Sequence, residues 1–320
     1  MKVTGTHEFH HASQFTYDVQ EEGWWMETTS TYMEDEVYPQ VNDNYNYMPR
    51  WFEWSDQYSL TTANGWHEYG NFIWAKRLSE DFGDAIVREI WVEDQTSDGL
   101  MAIASVLTTH GSNLVAEFNK FTKSNFFLEH LYADGAEYRQ AVAAPETTFS
   151  GVWLEFQYNF GTHGLPFTID SNNVNGDTWM DEWAADYVTL TLDQSLPLYE
   201  ISFDGLDNSV NYEVTLWTRK DAVFQQHTFV LNASKDGSVL LPYDAYDAAA
   251  IVIGRAGGSS SPLWRITIQV GQASVGGIAE LPDLAGDSGS PTGTYAGLAG
   301  GLAAAALLAL TAGAWFAGRR

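Results

Sequence analysis

The sequence predicts an α+β protein. It has a helical part over residues 1–147, an all-β sandwich-like part over 148–272, a stalk over 273–295 and one C-terminal transmembrane helix within 296–320. Three observations predict it. Apolar residues recur every three to four positions in the first part and every two in the second, and the final stretch is apolar on every side.

The helical part shows its period in Phe72-Ile73-Trp74-Ala75-Lys76-Arg77-Leu78 and in Ala85-Ile86-Val87-Arg88-Glu89-Ile90-Trp91, with Gly83 and Asp98-Gly99 as stops or turns. The β part reads as seven or so short strands with turn residues between them. They lie in Val152–Tyr158, Tyr187–Leu192, Tyr199–Phe203, Tyr212–Trp217, Thr228–Leu231, Ala250–Ile253 and Trp264–Ile268. Residues 273–295 are rich in Gly, Ser, Pro and Asp and offer little to bury, as expected of a stalk. Gly297 to Phe316 is uncharged, and as a helix it spans about 30 Å, the thickness of a bilayer core. Arg319-Arg320 should stay in the cytoplasm, which puts the bulk of the chain at the outer face of the membrane. A buried Ala-rich helix is the alternative. No apolar signal segment follows Met1.

Charge excludes one class of partner. The chain carries 15 Lys and Arg against 42 Asp and Glu, a net charge of −27, and phosphate binding needs clustered basic residues. Nucleic acid is therefore not expected as a partner. The acidity reads best as a solvated surface. Cysteine is absent, so any metal must be held by His, Glu and Asp.

One motif carries chemistry. His7-Glu8-Phe9-His10-His11 fits H-E-x-x-H. On a helix, His7 and His11 project from one side and can grip one Zn²⁺, while Glu8 beside them can move a proton. A hydrolytic zinc wants three protein ligands and an open position. The next helical run, Gly23 to Asp35, places Glu27, Thr31 and Glu34 on one face. Folded back at Glu21-Glu22-Gly23, it brings Glu27 within reach of the metal, with Glu34 or Asp35 orienting a ligand His through its other nitrogen. Glu34 stays open as an alternative third ligand.

His-Glu-x-x-His followed by Trp24-x-x-Glu27 on the next helix resembles the gluzincin branch of zinc metallopeptidases. The strings His7–Asp18, Gly23–Pro39 and Glu68–Trp91 resemble a group of secreted metalloproteases of myxobacteria and related bacteria. The resemblance covers residues 4–92 and implies a helical zincin-like catalytic subdomain, in which His7, His11 and Glu27 bind zinc and Glu8 is the general base. It also implies a peptide or protein substrate. Zincins place a strand-rich subdomain before the motif helix, whereas six residues precede His7 here, so an upstream half is expected to belong with this one.

Other residues carry weaker signals. Tyr69 can donate a hydrogen bond to an oxyanion, or it is an ordinary helix-face aromatic. His10 points about a hundred degrees away from His11 and reads as structural. So do His110, His130, His163 and His227, which have no motif around them. Ser171 to Glu182 echoes an EF-hand loop, although a plain Asn/Gly turn explains it better. The expected activity is zinc-dependent endopeptidase action. The alternative is a surface-exposed binding or adhesion protein with a vestigial metallopeptidase site.

Overall fold

The computed structural model describes residues 2–142, 156–171, 180–193, 195–196, 198–221, 223–242, 246, 248–258 and 264–271. Helices occupy the first part: α1 Lys2–Gln14, α2 Gly23–Val37, α3 Met48–Phe52, α4 His67–Gly70, α5 Phe72–Phe82, α6 Ala85–Glu93, α7 Gly99–Thr109, α8 Leu114–Phe126, α9 Leu128–Leu131 and α10 Gly135–Val142. Strands occupy the second: β1 Phe156–Asn159, β2 Phe167–Asp170, β3 Ala184–Thr191, β4 Leu198–Asp204, β5 Tyr212–Lys220, β6 Val223–Thr228, β7 Asp236–Pro242, β8 Ala248–Arg255 and β9 Arg265–Val270. The fold is α+β. One sheet has the order β1-β3-β8-β5-β6 and the other β2-β9-β4-β7. All described pairs are antiparallel except β1 with β3.

Helices and both sheets belong to one compact unit, Met1–Ala273. The five-stranded sheet is its middle layer, and the alternation of side chains along β3 and β8 shows why. Ala185 and Tyr187 of β3, with Ala250 and Val252 of β8, join the core of the helices. Their neighbours Ala184, Val188, Ala249, Ile251 and Ile253 join the core shared with the four-stranded sheet. A strand buried on both faces needs no polar face, which accounts for the unbroken run Ala248-Ala249-Ala250-Ile251-Val252-Ile253. Small residues on β8 let α8 come close. A Cβ at Gly254 would stand 3.1 Å from Thr122 Oγ1 and 3.2 Å from Asn119 Oδ1.

Three strands differ from the sequence expectation for one physical reason, the first being β2, Phe167–Asp170, which lies in none of the expected runs. The run Thr228–Leu231 contributes only Thr228 to β6, and β7 arises from Asp236–Pro242, which carries little apolar alternation. All three are edge strands with at most one buried residue, so backbone pairing with β9, β5 and β4 defines them rather than a buried face. The expected stalk over 273–295, the transmembrane helix within 296–320 and the core of the Ser171–Glu182 loop lie outside the described residues. Among the described residues, no helix is long and apolar enough to cross a membrane.

What positions the site is the pairing of α1 with α2. Eight residues, 15–22, fold α2 back against α1. Trp24 and Trp25 anchor α2 in the core, each fully or nearly fully buried. Burying one indole removes roughly 150–250 Å² from water, worth about 4–6 kcal/mol at about 25 cal/mol per Å². That gain offsets the polarity of the α1 face, whose buried residues are Val3, His7 and Gln14. Close by, α4 is pressed onto α3: a Cβ at Gly70 would meet Trp51 N at 2.7 Å and Tyr47 O at 2.8 Å, so only glycine fits there. Glu68 accepts hydrogen bonds from the backbone N–H groups of Asn64, Gly65 and Trp66 at 2.7–3.1 Å, which fixes the loop entering α4.

His67 opens α4 with its ring buried, and its Nδ1 donates to Arg50 O at 3.0 Å. Burial pulls its pKa down to about 4. The unfolded chain therefore binds a proton at this position between the ordinary histidine value and about 4 that the folded chain refuses, and stability falls as pH drops through that window. The expected loss attributable to His67 is on the order of 3 kcal/mol. Urea unfolding midpoints measured from neutral pH downward should show it, and His67→Gln should flatten the curve across that window.

Candidate metal centre

Three ligand atoms from two helices converge. His7 and His11 of α1 and Glu27 of α2 each offer one donor, and the three donors lie within 4.8 Å of one another. Glu27 Oε2 stands 2.9 Å from His7 Nε2 and 3.5 Å from His11 Nε2. In a tetrahedral zinc site with bonds of about 2.1 Å, neighbouring ligand atoms stand roughly 3.4 Å apart, so the donor set and its spacing fit that ion. The side chains of His7, His11 and Glu27 are 9%, 18% and 25% exposed, leaving one side of the group open.

Each histidine is held from behind. His7 Nδ1 donates to Glu34 Oε1 at 2.8 Å, and His11 Nδ1 to Gln14 Oε1 at 2.7 Å. Acceptors on both Nδ1 atoms turn both Nε2 atoms toward Glu27, the usual arrangement of histidines that ligate metal. Of the two carboxylates left open by the sequence, Glu27 faces the converging nitrogens and Glu34 sits behind His7. Asp35 is engaged elsewhere, accepting from Lys76 Nζ at 2.9 Å. Burial lowers the pKa of His7, but the hydrogen bonds and charges of Glu27 and Glu34 outweigh it and hold the ring up at about 9. In the absence of a cation, the ring therefore donates from both nitrogens. Its charge in turn helps keep Glu27 ionised: burial raises that carboxyl, and the hydrogen bond from His7 with the nearby His11 more than reverses it.

Gln14 was not singled out from the sequence. It is buried, and its Nε2 donates to Met26 O, Thr29 Oγ1 and Ser30 Oγ at 2.8–3.1 Å. The signal available was its place three residues after His11, on the same helical face. Tyr47 was also missed, because its role comes from a loop that no period marks; its ring lies 5.3 Å from that of Tyr69.

A cleft of about 330 Å³ adjoins the group at His7; its lining includes His7, Glu8, Glu34, Tyr47, Trp66 and Tyr69 but neither His11 nor Glu27. Glu8 is exposed on α1 and contributes to this wall. Tyr69 stacks on His7, with ring centroids 5.9 Å apart and planes at 24°. Burial, with the Glu27 carboxylate next, pushes the Tyr69 phenol up to about 12, so it stays a hydrogen-bond donor near neutral pH. A second cavity, about 360 Å³ and mostly apolar, is lined by His10, Tyr32, Met33, Val87 and Trp91 and contains none of the three converging residues. His10 thus faces away from the group, and burial pulls its pKa down to about 4 with help from His11 and His7. His110 pairs with Glu89 at 2.6 Å and His227 meets Thr218 at 3.1 Å, both far along the chain from the motif.

Comparison with known proteins adds little about chemistry. No curated protein matches the chain. The pre-peptidase C-terminal domain of a collagenase from Bacillus anthracis is similar at 8% identity and a TM-score of 0.25, over 36% of this chain and 96% of that one. A family GH115 4-O-methyl-α-glucuronidase with specificity for decorated arabinogalactans is similar at 9% identity and a TM-score of 0.21, over 73% of this chain and 34% of that one. A family model matches residues 1–221, which contain every residue of the candidate centre. The chain belongs to that family, DUF6055, described as a family of unknown function.

Proposed function

We propose that the chain is a zinc-dependent endopeptidase of the gluzincin kind, with His7, His11 and Glu27 as metal ligands and Glu8 as general base. The observation that carries this reading is the convergence of His7 Nε2, His11 Nε2 and Glu27 Oε2 beside a cleft, with both histidines held through Nδ1. A zinc ion bound there supplies Lewis-acid polarisation of a carbonyl and makes water acidic enough to ionise near neutral pH.

The chain's own residues do the rest. Glu8 takes the proton of the attacking water and returns it to the departing amine, a role that needs an ionised carboxylate at the mouth of the cleft. Tyr69 donates its phenolic hydrogen bond to the oxygen that gains charge during attack. Glu34 and Gln14 hold the two imidazoles so that neither ring swings away as charge moves through the site. Tyr47 and Trp66 supply apolar wall for a substrate side chain. The uncharged run from Gly297 to Phe316, closed by Arg319-Arg320, supports attachment at the outer face of a membrane.

The first expected outcome concerns the metal. The purified chain should bind close to one zinc, and His11→Ala should abolish it. Glu27→Gln should cost most of the affinity, and Glu34→Gln about 10–100-fold, because Glu34 acts through His7. The proton on His7 must leave when zinc enters, so binding should tighten as pH rises toward about 9. Chain that takes up no zinc on dialysis sinks the site.

The second concerns chemistry. Glu8→Gln should keep zinc and fold yet lose peptide hydrolysis by about two to four orders of magnitude, since an amide accepts no proton from water. A zinc-loaded wild type that cleaves no member of a broad peptide library, with Glu8→Gln indistinguishable from it, would instead favour a surface binding protein with a vestigial site.

A further inference from the structure

A second cleft adjoins the one beside His7. It has a volume of about 340 Å³ and is lined by Arg50, Trp54, Tyr58, Asn64, Trp66 and His67. These residues come from α3, the connection after it and the start of α4, the short helix that also carries Tyr69. Trp66 lines both clefts, so its indole is the wall they share.

The lining is aromatic and partly open to water. Indole rings gain from burial, yet Trp66 is 62% exposed and Trp54 39%. Trp54 meets Tyr58 with ring centroids 5.7 Å apart, and Tyr58 meets His67 edge to face at 5.5 Å, so the rings form a continuous surface. That surface is fixed before anything binds. Trp66 N donates to Glu68 Oε2 and to Asn64 Oδ1, each at 3.1 Å, and His67 N donates to Asn64 Oδ1 at 3.0 Å. A rigid aromatic surface binds with little ordering cost.

Charge separates the two clefts. Burial keeps His67 neutral near neutral pH, so Arg50 is the charged side chain of the second lining. Its guanidinium lies over Trp66, 5.0 Å from the ring centroid. Glu53 stands 4.0 Å from Arg50 Nη1 with the two side chains 42% and 45% exposed, a screened pair that neutralises little of the cation. The first cleft carries Glu8, Glu34 and Asp43 instead.

We propose that the second cleft is the specificity subsite of the candidate endopeptidase and takes an aromatic side chain of the peptide bound beside the metal group. The inference rests on the peptidase reading for its substrate and on the shared wall at Trp66 for its place. A peptide in the first cleft passes a side chain over Trp66 into the second. There a planar ring stacks among Trp54, Tyr58 and Trp66. Arg50 repels a lysine or arginine side chain. A carboxylate side chain would meet Arg50 but forfeit the stacking.

The test measures binding and cleavage separately. Short peptides of Ala and Gly carry one Phe, Ala, Lys or Glu at each position in turn, and the full chain supplied with zinc is assayed for the Kd and the kcat/KM of each. At one position Phe should exceed Ala about 10–100-fold in both, with Lys and Glu below Phe. Trp54→Ala should bring that ratio down to about one with zinc content unchanged, and Trp54→Phe should keep most of it. Arg50→Gln, at a half-exposed side chain, should improve the lysine peptide about tenfold. Cleavage without a preference for Phe at any position, or a preference that survives Trp54→Ala, overturns the subsite and leaves the peptidase standing. Phe-selective binding that Trp54→Ala removes, with no peptide cleaved, supports the aromatic cleft and sinks the peptidase. Neither selective binding nor cleavage overturns both.

Discussion

The polar seam between α1 and α2 is the constraint on which the rest of the helical part depends. His7, His11 and Gln14 on one helix face Glu27, Ser30 and Glu34 on the other, and each is paired across the seam or along it. An ordinary helix pair is held by apolar burial. This one is held by hydrogen bonds whose loss would leave charged or polar groups stranded away from water. Apolar packing backs it: Trp24 and Trp25 of α2 meet with planes at 50°, and Trp25 stacks on Trp91 at 19°. Trp91 Nε1 donates to Thr29 Oγ1, which ties α6 to the same helix that carries Glu27.

How far the sequence made this readable follows from the kind of signal each residue leaves. His7 and His11 were readable because residues four apart on a helix share a face, and Glu27 and Glu34 because their face repeats at i and i+7. Gln14 left no such trace: glutamine is common on solvated helix faces, and only the tertiary fold reveals it as buried. The same holds for α1 as a whole. Its apolar residues form no stripe, since the exposed Phe9 lies off the face that packs.

The β part was readable where strands are buried on both faces and poorly readable at the edges. β3, β5 and β8 are rich in apolar and β-branched residues because helices cover one side and a second sheet the other. Period alone could not reveal that the helices lie on the sheet within one unit, because a doubly buried strand looks the same whatever covers it. The evidence for that was in residue size. Alanines and Gly254 on β8 make room for α8, whereas a strand facing another sheet is free to carry Ile and Val.

Acidity ties these parts together. A chain with 42 carboxylates and 15 Lys and Arg cannot pair most of its negative charge, so most of it must face water. Carboxylates that do leave water then need specific partners, and the interior shows them one by one. Glu34 is matched by His7, Asp35 by Lys76 and Asp81 by Arg77. Glu27 is matched by His7, with His11 close by. Glu21 and Asp94 have neither a basic side chain nor an imidazole beside them; they hydrogen-bond to each other, and burial with the Glu21 charge pushes the Asp94 carboxyl up to about 9, so it stays protonated. A proton there takes the place of the cationic side chain. The α1–α2 pair thus matches its buried carboxylates in two ways, by imidazole within the seam and by protonation behind the start of α2.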